Sequence, residues 1–196
     1  MLPFVGAAAL AFGAIFIAEF GDKSQLLVLA FATRYPARPV VIGVVLAATI
    51  IQGISVAVGA AAGSFLPEGL VEIVSGLAFL AVAAWTLRGE DEDEAEVAVP
   101  SGRRLAGMAL VLTVAMTFIA SELGDKTMLA TFAIAAQQGA LPTWIGSTAG
   151  EVAANLVAVA VGRQVGHRLS PRVIRIGSAA LFALAGAALL IGALLG

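Results

Sequence analysis

Glu19-Phe20-Gly21-Asp22-Lys23-Ser24 recurs later in the chain as Glu122-Leu123-Gly124-Asp125-Lys126-Thr127. Each stretch sets two carboxylates and a lysine inside a long apolar run. An ionisable side chain at the centre of a membrane helix costs roughly 2.5–3.5 kcal/mol. A chain that bears this cost twice, in the same residue order, is using those charges.

The surroundings set the fold class. Of 196 residues, 60% are hydrophobic and only 12% charged, and the mean hydropathy is +1.01. Soluble domains carry about 25% charged residues. A soluble bundle also needs a polar face on each helix, and the stretch Val40–Ala62 has none. The composition therefore describes an integral membrane protein. There is no Cys, and His167 is the only His. That removes disulfides, thiolate metal sites and a His-based metal site. His167, between Arg163 and Arg168, reads as a solvated loop residue. The N-terminus lacks a basic stretch, and its apolar run continues past Glu19. It reads as a retained first transmembrane helix, not a signal peptide.

Six apolar segments follow one another, at about 3–32, 40–63, 69–88, 105–136, 142–163 and 172–195. A bilayer core of ~30 Å needs about 20 helical residues. The expected fold is an all-α membrane protein with six transmembrane helices. Segments one and four are too long for a straight crossing, since about 30 residues span ~45 Å. They must tilt, protrude or break, and Gly21 and Gly124 are where a break costs least.

Shifted by 103 residues, the two halves align without a gap. Ile42-Gly43 falls on Ile145-Gly146, Val56-Ala57-Val58-Gly59 on Val159-Ala160-Val161-Gly162, and Phe79 on Phe182. Each copy holds three segments, and an odd number turns the second copy upside down in the membrane. This is the inverted-repeat plan of many secondary transporters, whose sites lie near the midplane between repeats. The expected units are residues 1–88 and 105–196, joined by an acidic cytoplasmic linker over 89–104. That linker holds Glu90-Asp91-Glu92-Asp93-Glu94-Ala95-Glu96 and reads as a solvated tether, with a cation-collecting antenna as the sharper alternative. Arg34, Arg38, Arg88, Arg103, Arg104, Arg163, Arg168 and Arg172 all fall in or beside loops one, three and five. Positive loops stay inside, so those loops face the cytoplasm and both termini face outward across the cell (inner) membrane. Trp85 and Trp144 suit interfacial anchors.

The motif geometry points to a cation site. Glu19, Asp22 and Lys23 share one helix face if the helix persists. One reading is local neutralisation, with Glu19 paired to Lys23 and Asp22 capping a helix. The other is a carboxylate site for a cation. Glu19, Asp22, Glu122 and Asp125 with Lys23 and Lys126 sum to −2, which one divalent cation neutralises. Protons on the same acids supply the exchange partner, so cation/proton antiport is the expectation. Ser24 and Thr127 offer hydroxyls, as ligands or as caps of a broken helix. Gln52 and Asn155 are repeat equivalents that either line the site or hydrogen-bond between helices. Glu151, one turn before Asn155, lines the site or pairs with a lysine; its equivalent is Ala48. Gln25, whose equivalent is Met128, ranks low. Nearly all these donors are oxygens, which suit Mg2+, Ca2+ or Mn2+ over Cu+ or a structural Zn2+.

The paired E-x-G-D-K-[S/T] motifs, on the first and fourth of six spans, resemble those of the MneA-type manganese exporters. That family is similar to the eukaryotic Golgi manganese/calcium transporters and to a wider cation/proton antiporter group. The resemblance covers both motifs, the repeat, the acidic linker and the size. It implies Mn2+ export from the cytoplasm with proton exchange, possible Ca2+ transport, and Glu19, Asp22, Glu122 and Asp125 as principal metal-binding acids. It also implies that Lys23, Ser24, Lys126 and Thr127 complete the site. Mn2+, Ca2+ and protons are cargo; no cofactor and no nucleic-acid partner is expected, while the lipid bilayer is, and an oligomer is open. Two rivals remain at this point. One is an exporter of amino acids or other organic solutes. The other is an intramembrane lipid-phosphate hydrolase, which would want arginines at membrane depth to hold phosphate.

Overall fold

A computed structural model describes residues 2–20, 22–88, 105–162 and 171–195. Gly21, the acidic linker 89–104, and the loop 163–170 with His167 lie outside the described residues, and Lys23 is described by its backbone alone. Among the described residues every regular element is a helix: α1 (Leu2–Glu19), α2 (Lys23–Arg34), α3 (Ala37–Phe65), α4 (Glu68–Arg88), α5 (Gly107–Glu122), α6 (Lys126–Gln138), α7 (Ala140–Gly162) and α8 (Pro171–Leu195).

The eight helices come from six apolar segments because segments one and four both break at the charged motif. α1 and α2 meet at 74°, and α5 and α6 at 78°. Gly124 sits at the second break with φ +79°, a left-handed backbone that glycine adopts without strain. Equivalent turns carry the chain across each gap. Asp22 N–H donates to the Glu19 carbonyl at 3.2 Å, and Asp125 N–H to the Glu122 carbonyl at 3.1 Å.

α3, Gly69–Arg88 of α4 and Arg175–Leu195 of α8 are long and apolar enough to cross a membrane. Counting each bent pair as one span gives five. Among the described residues α7 is not counted with them; that helix carries Thr143, Ser147, Glu151 and Asn155, all buried. The distribution of polarity is that of a membrane protein. Glu19, Glu122 and Glu151 are 0% exposed, whereas Leu184 is 71% and Leu194 82% exposed. Apolar surface on this scale needs an apolar solvent, and water would reverse the arrangement.

The halves pack by exchanging equivalent contacts. On α3, a Cβ at Gly43 would lie 2.8 Å from the Val111 carbonyl and from Val114 on α5. On α7, a Cβ at the equivalent Gly146 would collide with the Ala8 carbonyl and lie 2.9 Å from Ala11 on α1. Ala8 and Ala11 are the repeat counterparts of Val111 and Val114. Small residues thus let backbones approach where lipid offers no hydrophobic drive for association. Phe79 of α4 stacks on Phe182 of α8, its own counterpart, with ring centroids 5.8 Å apart. Trp144 is half-buried, and its indole N–H donates to the Thr49 carbonyl on α3 at 3.1 Å.

The close approach at Gly146 sets a measurable cost. Gly146→Ala places a methyl against a fixed backbone oxygen and should destabilise the protein by about 1–3 kcal/mol. Gly6→Ala, which meets nothing within 4 Å, should leave stability unchanged or raise it slightly. Thermal unfolding in detergent, followed by tryptophan fluorescence, separates the two; equal midpoints would contradict the packing.

Candidate functional site

The breaks build the site. α1 ends on Glu19 and α5 ends on Glu122. α2 restarts at Lys23 and α6 at Lys126, with Asp125 in the N-cap position of α6. Each break therefore brings a helix C-terminus and a helix N-terminus to one place. C-terminal carbonyls favour cations and N-terminal amides favour carboxylates. Broken helices of this kind form ion sites in transporters, and non-helical backbone at membrane depth is tolerated where it lines a protein interior.

A hydroxyl spans each break. Ser24 Oγ donates to Glu19 Oε2 at 2.8 Å, and Thr127 Oγ1 to Glu122 Oε2 at 3.4 Å. The two hydroxyls hold the motif glutamates, a use distinct from both the ligand and the cap offered by the sequence. Glu19, Glu122 and Asp125 each bring one carboxylate oxygen within 4.8 Å of the others. Metal–oxygen distances of 2.3–2.6 Å put oxygens on opposite sides of Ca2+ about 4.6–5.2 Å apart, and smaller ions draw them closer. The spacing is ion-sized, and it joins acids from both halves.

Asp22 faces a lysine of the other half. Lys126 Nζ lies 2.7 Å from Asp22 Oδ2, and both side chains are buried. This ion pair crosses between halves, whereas the local-neutralisation reading kept each lysine with its own motif. Asp22 remains within electrostatic reach of Glu19.

A second group of polar side chains adjoins the cluster. Thr131 on α6 donates to Gln52 Oε1 on α3 at 2.6 Å, and Gln52 Nε2 donates to Glu151 Oε2 on α7 at 2.5 Å. Thr131 thus fixes which way the Gln52 amide points. Glu151 is held by an amide and not by a lysine, and its Oε1 has no hydrogen-bond partner among the described residues. It stands within electrostatic reach of Glu19 and Asp125. Asn155 does not mirror Gln52. Its amide donates to the Glu151 carbonyl of its own helix at 3.0 Å, leaving Oδ1 without a partner among the described residues. Gln25, ranked low from sequence, donates to the Ala154 carbonyl at 3.0 Å and ties α2 to α7.

Of the residues expected from sequence, Glu19, Glu122 and Asp125 come together as one cluster. Asp22 and Lys126 form the adjoining pair, Ser24 and Thr127 hold the glutamates, and Gln52, Glu151 and Asn155 flank them. Thr131 was missed. Its one signal is position: it lies one turn beyond Thr127 and so shares its helix face.

The buried pair yields a prediction. Lys126→Met removes the buried cation beside Asp22 and should cost about 3–5 kcal/mol of stability. Asp22→Asn in the same chain should recover a large part of that loss. Additive losses in the double variant, read by thermal unfolding, would show that the two side chains are not coupled.

Known proteins bear on the same residues. The family model described as divalent cation/proton antiporter GDT1 matches the chain twice, over residues 7–94 and 109–196. A Vibrio cholerae protein described as "Putative manganese exporter" is 29% identical over 90% of this chain and 86% of its own length. A GDT1-like protein of Synechocystis is 31% identical over 86% of this chain and 88% of its own length. Protein PAM71 of Arabidopsis chloroplasts is 32% identical over 89% of this chain, which spans 54% of that protein. No solved structure matches the chain. The chain belongs to the GDT1 family of divalent cation/proton antiporters and is a transporter, not an enzyme.

Proposed function

We propose that this protein exports Mn2+ from the cytoplasm in exchange for protons, with Ca2+ as a second cargo. The observation that carries the reading is the ion-sized cluster of Glu19, Glu122 and Asp125, buried and drawn from both halves. The Vibrio relative's description supports Mn2+ as the cargo.

In this reading the chain crosses the membrane six times as two inverted three-helix repeats, residues 1–88 and 105–196, joined by the linker 89–104. Both termini lie outside and loops one, three and five lie in the cytoplasm. Each broken helix counts as one crossing, and α7 crosses despite its polar residues because those residues face the interior. The cation binds between Glu19, Glu122 and Asp125. Ser24 and Thr127 hold one oxygen of each glutamate and leave the other for the metal. Asp22, neutralised by Lys126, shapes the local field without competing for the ion, and Lys23 completes the first motif. Glu151, held by Gln52, supplies a further carboxylate oxygen, and Asn155 a carbonyl oxygen. Protons take the acids when the metal leaves, so the buried site is charge-compensated in both loaded forms. Exchange of the two loaded forms across the membrane is antiport.

Proteoliposome flux tests this. Mn2+ uptake should move protons the opposite way, and an imposed proton gradient should drive Mn2+ alone. Glu19→Gln and Asp125→Asn should each lower Mn2+ flux by roughly 10- to 100-fold or more, the range already seen when a supporting group of a metal site is lost. Glu72→Gln, outside the cluster, should transport normally. Unchanged flux in the Glu19 and Asp125 variants would overturn the site assignment.

A further inference from the structure

Ser75 on α4 and Ser178 on α8 occupy the same position in the two halves. Both are buried, at 1% and 3% exposure. They make different bonds. Ser75 Oγ donates to the Ala133 carbonyl on α6 at 3.4 Å. Ser178 Oγ donates to the Ile17 carbonyl on α1 at 3.1 Å. The counterpart of Ala133 is Ala30 on α2, and the counterpart of Ile17 is Ala120 on α5. One serine therefore grips a motif helix after its break, and the other grips a motif helix before its break.

The choice is not forced by the serines themselves. Other hydroxyls on the long helices return to their own backbone one turn back, as Thr49 does to Val45, Ser55 to Ile51 and Thr86 to Val82. Ser75 and Ser178 reach across to another helix. A helical carbonyl keeps a second lone pair after its own ladder bond, so it can accept such a hydroxyl without breaking the helix. The packing follows the same asymmetry. α4 lies along α6, whereas no comparable packing of α8 along α2 occurs among the described residues. α4 and α8 themselves are joined closely. Phe79 stacks on Phe182, and the Gly186 carbonyl lies 3.0 Å from where a Cβ on Gly76 would stand.

Two repeat-related halves held in unequal arrangements define a second arrangement in which the halves trade places. The geometry points to a latch exchange: the α4–α8 pair shifts as a unit, so that Ser178 moves from the Ile17 to the Ala30 carbonyl and Ser75 from the Ala133 to the Ala120 carbonyl. This rests on the inverted-repeat antiport reading above and names the elements that move within it. Each grip acts on a helix carrying the motif acids or their partners. Ile17 lies two residues before Glu19, and Ala133 lies on the same helix as Lys126 and Thr127. Exchange of the grips would release one half of the site while fastening the other.

The chain has no cysteine, so introduced thiols label cleanly. Ile73 with Leu129, and Ile176 with Leu26, are equivalent exposed pairs on α4–α6 and α8–α2. Spin labels on each pair, in the full-length protein in liposomes, should give a longer distance for Ile176→Cys/Leu26→Cys than for Ile73→Cys/Leu129→Cys. A proton gradient or added Mn2+ should shift the two distance populations in opposite senses. The S178C/A30C variant should form a disulfide only under conditions that shorten the Ile176–Leu26 distance, and that disulfide should arrest flux until reduced. Mn2+ flux with both distances fixed would overturn the latch exchange and leave the antiport reading standing. Exchange of distances without Mn2+ flux would overturn the cargo and support the latch. Fixed distances without flux would overturn both.

Discussion

A carboxylate in the interior of a membrane protein persists only where nearby groups answer its charge, and this fold is arranged around answering five of them. Glu19 and Glu122 are met by hydroxyls from across their own helix breaks. Asp22 is met by a lysine from the other half. Glu151 is met by an amide whose orientation a threonine fixes. Asp125 shares its place with the two glutamates, their carboxylate oxygens lying within 4.8 Å of one another. Without the breaks at residues 20–22 and 123–125, the half-helix ends would not face the acids. A continuous helix would hold each motif along one wall, with no termini directed at it.

The same constraint explains why the halves must interlock. A three-carboxylate cluster drawn from two repeats needs backbones closer than ordinary side chains permit. Gly43 and Gly146 provide that approach at equivalent positions, each against the first helix of the other half. Adding a side chain there would crowd α5 or α1, the helices that end on Glu122 and Glu19.

Much of this was legible in the sequence because cost is legible. Charges in apolar runs, repeated in order, gave the motif acids; oxygen donors without Cys gave the class of metal. Excess segment length together with Gly124 gave the break, since a glycine between charges is where backbone hydrogen bonds are most easily given up. What was not legible depends on which neighbour a side chain chooses. Lys126 is one residue from Asp125, yet it pairs with Asp22 across the interface. Spacing along a helix could not show this, because the break removes the helix on which the spacing was counted. Gln25 and Thr131 are ordinary polar residues on helix faces, and their partners, Ala154 and Gln52, are distant in sequence. Repeat equivalence also misled: Gln52 and Asn155 align, but Gln52 crosses to another helix while Asn155 bonds within its own.

That failure of equivalence has a physical consequence. Halves of identical sequence would make the two arrangements of an inverted repeat equal in energy, and the protein would rest equally in each. Here Glu151, Thr131 and Gln25 stand opposite Ala48, Val28 and Met128. The unrepeated groups form hydrogen bonds in the observed arrangement that their counterparts have no atoms to make. An exchange of conformations would therefore trade those bonds for apolar contacts, and the two arrangements must differ in free energy by that balance. In the proposed antiport cycle, the repeated acids would bring the ion site together, and the unrepeated polar groups would set which side of the cycle the empty protein prefers.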